Sequence, residues 1–188
     1  DVAGIDAAVS AGTFDDHLTT TDLAALGFSY VNTPSTAATL VTGGAATAEI
    51  TNENLDSIRL AIANSANDLS GVLTYSELTS LVETTAKAAN TIQAYGAADS
   101  ASAAPVPTPA DYAAVGVTGV TDENVAAINS SLATDGVLDT LSSSVAAEVQ
   151  DIVDTWAKVE TLADGEADTV VVTSAMVNQV PTGASISV

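Results

Sequence analysis

The chain of 188 residues contains no cysteine, one histidine and three basic residues. Without cysteine it has no disulfide, no thiolate metal ligand and no cysteine nucleophile, and one histidine is too few for the familiar zinc sites built from several histidines. The three basic residues stand against 24 acidic ones, and the formal charge of -21 repels nucleic acid and anionic lipid. No apolar run reaches the roughly 18 residues of a membrane span. We therefore expect neither a nucleic-acid partner nor a membrane span.

The residues that are present favour a folded protein in a salty environment. Hydrophobic residues make up 47% of the chain and the mean hydropathy is +0.33, so the charge does not indicate disorder. An acidic surface poor in lysine suits high ionic strength, where self-repulsion is screened. This predicts an extracellular or cell-surface location, with an acidic cytosolic protein as the alternative. The start at Asp1, without a leader, predicts a processed product or, preferably, a segment of something longer.

An internal repeat organises the chain. Three blocks match in one order: Asp22–Gly27 with Asp111–Gly116, Ile50–Leu55 with Val120–Val125, and Glu77–Lys87 with Glu148–Lys158. The matched residues lie 89, 70 and 71 positions apart, so the first copy carries 19 extra residues between Phe28 and Glu49.

Each copy is predicted to be a short helix followed by a helical hairpin. Thr108 is a helix cap before Pro109, Asp111 completes a capping box, and Gly116 ends the helix; residues 19–27 repeat this plan. Thr51 and Thr121 are expected to cap the next helix. Apolar residues then recur at helical spacing, and the matched pairs are Leu55 with Val125, Ile58 with Ile128, Ile62 with Leu132, Leu78 with Val149, Leu81 with Ile152, and Val82 with Val153.

These patterns predict a mainly α fold with a small β component (α+β). Residues 1–96 form the first repeat, with an N-terminal extension and a β-like insertion at 28–50, and residues 97–109 are a proline-rich connector. Residues 110–168 form the second repeat, and 169–188 are a β-like C-terminal segment. The expected architecture is thus two helical-hairpin repeats plus short antiparallel strands from the insertion and the C-terminus.

The second copy resembles a known class of tandem helical repeat. The resemblance rests on Pro109–Thr121, Asn124–Asn129 and Glu148–Asp154. It is similar to repeats of very large secreted or surface-displayed proteins of marine and aquatic bacteria, giant adhesins among them. The resemblance implies an extracellular, non-catalytic role as a spacer, adhesive module or assembly subunit, and it carries no catalytic residues.

Three candidate sites are interpreted as structural. Residues 66–77 have the Gly71 and Glu77 of an EF-hand loop, but Ala66 supplies no ligand at its first position, and residues 131–142 of the second copy lack the closing carboxylate. Residues 15–17 offer one histidine without a partner, and Glu160 with Asp164 fits a solvated helix face. We therefore assign no catalytic, cofactor-binding or metal-ligating residue.

The leading hypothesis is a non-enzymatic structural module of an extracellular bacterial assembly, as a surface filament or layer subunit or as a repeat of a giant adhesin. Its expected partner is itself, through strand addition or repeat stacking. The alternative is a calcium- or ligand-binding extracellular module.

Overall fold

The computed structural model describes residues 18–30, 40–66, 74–97, 104–133 and 145–163. These residues form a mainly helical fold with one small antiparallel sheet, which confirms the predicted fold class. In chain order the elements are α1 (Thr20–Ala25), β1 (Val41–Thr42), β2 (Ala45–Ala46), α2 (Leu55–Ala66), α3 (Tyr75–Ala97), α4 (Pro109–Ala114), α5 (Val125–Leu132) and α6 (Val145–Ala163).

The short helices α1 and α4 begin with the same capping box. The Thr19 hydroxyl accepts from the Asp22 amide at 3.2 Å, and the Asp22 carboxylate accepts from the Thr19 amide at 2.8 Å. Thr108 and Asp111 repeat the pair at 3.3 and 2.8 Å. Both boxes satisfy amides that the first helical turn leaves unpaired. The predicted starts of both helices are confirmed.

Both short helices end at a glycine in the left-handed region. The φ angle is +92° at Gly27 and +89° at Gly116, which glycine adopts without a side-chain clash. The amide of the residue after the glycine then bonds to a carbonyl of the helix. Val117 N donates to the Tyr112 carbonyl at 3.0 Å, and the matching bond in the first repeat measures 3.1 Å. The predicted ends are confirmed as well.

The entry into α2 and α5 differs from the prediction. Asn54 Oδ1 accepts from the Thr51 amide at 2.9 Å, and Asn124 Oδ1 accepts from the Thr121 amide at 2.8 Å. Each asparagine Nδ2 donates at 2.9 Å to a carbonyl five residues upstream. The threonines therefore cap the turn before each helix, and the helices begin one turn later than predicted.

The matched apolar stripes face the interior in both repeats. The stripe residues that are buried are Leu55, Ile58, Ile62, Val82, Ile128, Leu132, Val149, Ile152 and Val153. The remaining three, Leu78, Leu81 and Val125, are half-buried and pack against the same cores. The helical spacing thus identified the buried positions correctly.

Helix α3 belongs to two cores. Val82 and Ala86, in the first half of the helix, pack in the first core. One turn further on, Ala89, Ile92 and Tyr95 pack in the second core, with the residues of α4, α5 and α6. This helix of 23 residues therefore joins the two repeats by continuous packing.

The insertion leaves and re-enters the repeat at one point. Tyr30 and Ile50 form a parallel bridge, and Ile50 N donates to the Ser29 carbonyl at 3.0 Å. Their counterparts Gly119 and Val120 are consecutive in the second repeat, so residues 31–49 are extra to the repeat. Within them β1 and β2 pair as an antiparallel hairpin, which confirms strands in the insertion.

Several predictions fall outside the described residues. They concern residues 1–17, the C-terminal segment 169–188 and most of the EF-hand-like loop. Within the described ranges, no helix combines the length and the hydropathy that crossing a bilayer requires.

Candidate functional site

The described residues do not assemble a metal site. They contain no group of three or more histidine, aspartate or glutamate side chains placed to hold an ion. Glu77, the last position of the EF-hand-like loop, instead caps α3: its carboxylate accepts from the Thr74 amide and the Thr74 hydroxyl, both at 2.7 Å. These hydrogen bonds lower the pKa of Glu77 because they favour its charged form. Glu160 is exposed, and Asp164 lies outside the described residues.

The junction between the two repeats is formed by residues of α2, α3 and α4. Val115, at the end of α4, is fully buried in one cluster with Ala89 and Ile92 of α3. Leu60 of α2 lies directly over the turn at Gly116, where an added Cβ atom would come within 2.6 Å of its Cδ2. The positive φ at this position favours glycine, whereas the exposed end of the Leu60 side chain could move away from an added Cβ atom. The junction is thus apolar and closely packed.

A second contact ties each hairpin to its own short helix. In the first repeat Arg59 Nε donates to the Leu18 carbonyl at 2.8 Å, and in the second Asn129 Nδ2 donates to the Pro107 carbonyl at 2.9 Å. Both carbonyls belong to the residue before the capping threonine. Sequence reasoning missed this tie because arginine and asparagine differ in chemistry, although the repeat alignment places them at one position.

Tyr112 completes this arrangement in the second repeat. Its buried hydroxyl donates to Asn129 Oδ1, so the amide of Asn129 is bonded through both of its polar atoms. Burial, with smaller effects of Tyr95 and Asp111, raises the pKa of Tyr112. The phenol therefore stays protonated at physiological pH, and its role here is that of a buried donor.

A buried amide network holds the insertion against α3. Asn90 Oδ1 accepts from Asn54 Nδ2 at 2.9 Å, while Asn90 Nδ2 donates to the carbonyls of Thr47 and Glu49 at 2.9 and 3.0 Å. Both asparagine side chains are fully buried. Asparagine is unfavourable inside a helix, and its place in the middle of α3 was the signal that sequence reasoning passed over.

Comparison with family models, with curated proteins and with solved structures found no match to this chain. The features that bear on function are therefore those that its two repeats share. The equivalent hydrogen bonds and the shared helix α3 describe an assembly of stacked units. The buried polar side chains of Asn54, Asn90, Tyr112 and Asn129 form hydrogen bonds with the backbone or with one another.

Proposed function

We propose that this protein is a non-catalytic structural module of an extracellular bacterial assembly, as a repeat of a giant adhesin or a subunit of a surface filament or layer. The observation that carries the proposal is the continuity of α3, which packs first in one repeat core and then in the next. Units that share a core in this way build long, regular bodies from short sequences. The resemblance that the sequence suggests over Pro109–Thr121, Asn124–Asn129 and Glu148–Asp154 favours the same role.

The junction favours stacking of helices as the mode of association. Its contacts are apolar side chains on α2, α3 and α4, with Leu60 against the turn at Gly116. Apolar contacts of this kind gain free energy without opposite charges, and a chain of net charge -21 has only three basic residues to supply them. High ionic strength then screens the repulsion between neighbouring units.

The location is tested by antibodies raised against the full chain, applied to intact cells that make the protein. We expect intact cells to bind the antibody, and brief external protease treatment to remove the signal. A cytosolic marker protein, which should label only after permeabilisation, is the control. If the chain also labels only after permeabilisation, the proposal is wrong.

The structural role is tested by deleting the coding region of the chain from its gene. We expect cell attachment to surfaces, or the order of the surface layer or filament, to be impaired while growth in suspension is unchanged. An unchanged surface and an altered metabolic profile would contradict a structural role.

A further inference from the structure

The two repeats differ in how far the end of the short helix is exposed. The inference drawn from this difference rests on the proposed function. We call the end of the short helix the trailing face: residues 25–26 in the first repeat and 114–115 in the second. In the second repeat this face is covered, and Val115 is 0% exposed. In the first repeat its counterpart Leu26 is 36% exposed.

The turns beside these faces have different neighbours. Leu60 from the preceding repeat lies over the turn at Gly116, with its own side chain 40% exposed. The turn at Gly27 meets the hydroxyl of Tyr75, which would lie 3.6 Å from an added Cβ atom and donates to the Leu26 carbonyl at 2.8 Å. The Tyr75 side chain is 62% exposed, and a side chain that exposed changes rotamer within nanoseconds. For a leucine to lie over Gly27, the Tyr75 hydroxyl has to release the Leu26 carbonyl and turn away.

The opposite, leading face of the second repeat is polar. In the first repeat Leu60 and Ala89 provide the contacts that cover the second. Their counterparts by the repeat alignment are Ser130 and Glu160, and both are exposed. Burying Glu160 against an apolar neighbour would be unfavourable unless a partner charge came with it, because an unpaired carboxylate would leave water. A second copy of this chain therefore presents a poor leading face to Leu26.

We propose that the trailing face of the first repeat docks a further repeat unit whose leading face is apolar, with leucine at the position of Leu60 and alanine at that of Ala89. The junction already present in the chain is the template, since the first repeat covers the second in this way. The unit that fits is a helical hairpin of the same kind on an adjoining segment or chain. Such stacking runs in one direction, because the leading face of one unit meets the trailing face of the next.

The test grafts the leading face of the first repeat onto the second. The donor is the full chain with Ser130→Leu and Glu160→Ala, and with Leu26→Glu to stop it from binding itself. The acceptor is the unaltered full chain. The two are mixed in about 0.5 M NaCl, where the Debye length is only several Å, and examined by sedimentation velocity. We expect a one-to-one complex of twice the monomer mass.

Two controls separate docking from general stickiness. An acceptor carrying Leu26→Glu should bind the donor at least about tenfold more weakly, a difference of about 1.4 kcal/mol. A chain carrying Leu26→Glu alone should not bind the unaltered chain. Circular dichroism and thermal melts establish that each variant folds, and if the donor does not, Ser130→Leu with Leu26→Glu replaces it, with a weaker complex expected.

Two results would overturn the inference. One is the absence of a complex between a folded donor and the acceptor. The other is dimerisation of the unaltered chain that Leu26→Glu abolishes, because the face would then take a second copy. Neither result bears on the surface-labelling experiment, so failure of the docking inference is distinguishable from failure of the proposed function.

Discussion

Replacing Tyr112 by phenylalanine tests the buried hydrogen bond of the second repeat. The ring stays and only the hydroxyl is lost, so the packing of a side chain with 0% exposure is preserved. Asn129, which is 4% exposed, then loses the donor to its Oδ1 while its Nδ2 remains bonded to the Pro107 carbonyl. An acceptor left unpaired in the interior costs about 1–3 kcal/mol. We expect a loss of that size in the free energy of unfolding.

The assay is urea unfolding at neutral pH, read as a shift of the midpoint at constant slope. Tyr75→Phe is the matched control, because it removes a hydroxyl bonded to a carbonyl from a tyrosine that is largely exposed. Its effect should stay within about 0.5 kcal/mol. Asn129→Ala and the double variant with Tyr112→Phe complete a cycle, and the two losses should be less than additive.

The Tyr112→Phe variant should also differ from the unaltered chain in how its stability depends on pH in alkaline solution. Burial raises the pKa of Tyr112 in the native state, while the unfolded chain titrates near pH 10. The contribution of Tyr112 to stability is therefore complete below about pH 10 and falls above it by about 1.4 kcal/mol per pH unit. Tyr112→Phe lacks this slope. If both tyrosine variants lose equal stability and show the same alkaline slope as the unaltered chain, the reasoning is refuted.

Three further predictions concern the core, a cap and the charge. Ile152→Ala should cost about 2–5 kcal/mol by leaving a cavity and Lys158→Ala less than about 0.5 kcal/mol, since the first residue is buried and the second exposed; equal midpoints in urea would contradict this. Thr108→Ala should cost about 1 kcal/mol by removing the hydroxyl that caps α4, and an unchanged midpoint would show that the cap is dispensable. The melting temperature should rise between low salt and about 0.5 M NaCl as screening relieves repulsion, whereas a level or falling value would show that repulsion does not limit stability.

The features predicted well from the sequence are those decided within a few residues. Thr108 and Asp111 are three positions apart, and their capping box depends on no distant contact. The apolar stripe through Ile152 follows from helical spacing alone. Local patterns of this kind can be recognised in the sequence because both partners in each interaction lie within one turn of helix.

The features that were missed join distant positions. Asn90 bonds to Asn54 and to the backbone at Thr47, 36 and 43 residues away, and periodicity does not reveal such pairs. The continuation of α3 into the second core was hidden for a related reason, since Ala89 fits an Ala-rich helix face in either repeat. The late start of α2 follows a turn over residues 52–54, in which the Asn54 side chain binds the Thr51 amide and the Asn54 amide donates to the Thr51 hydroxyl.

The bridge between Tyr30 and Ile50, where the insertion leaves and re-enters the repeat, affects how easily the inserted segment can change in length. Because Tyr30 and Ile50 already lie side by side, the two ends of the inserted segment are held together by the scaffold. Doubling the length of a flexible loop whose ends are held in this way costs only about 0.6 kcal/mol. The position therefore tolerates a change in the length of the inserted segment at small cost, as long as the Thr47 and Glu49 carbonyls that bind Asn90 are kept.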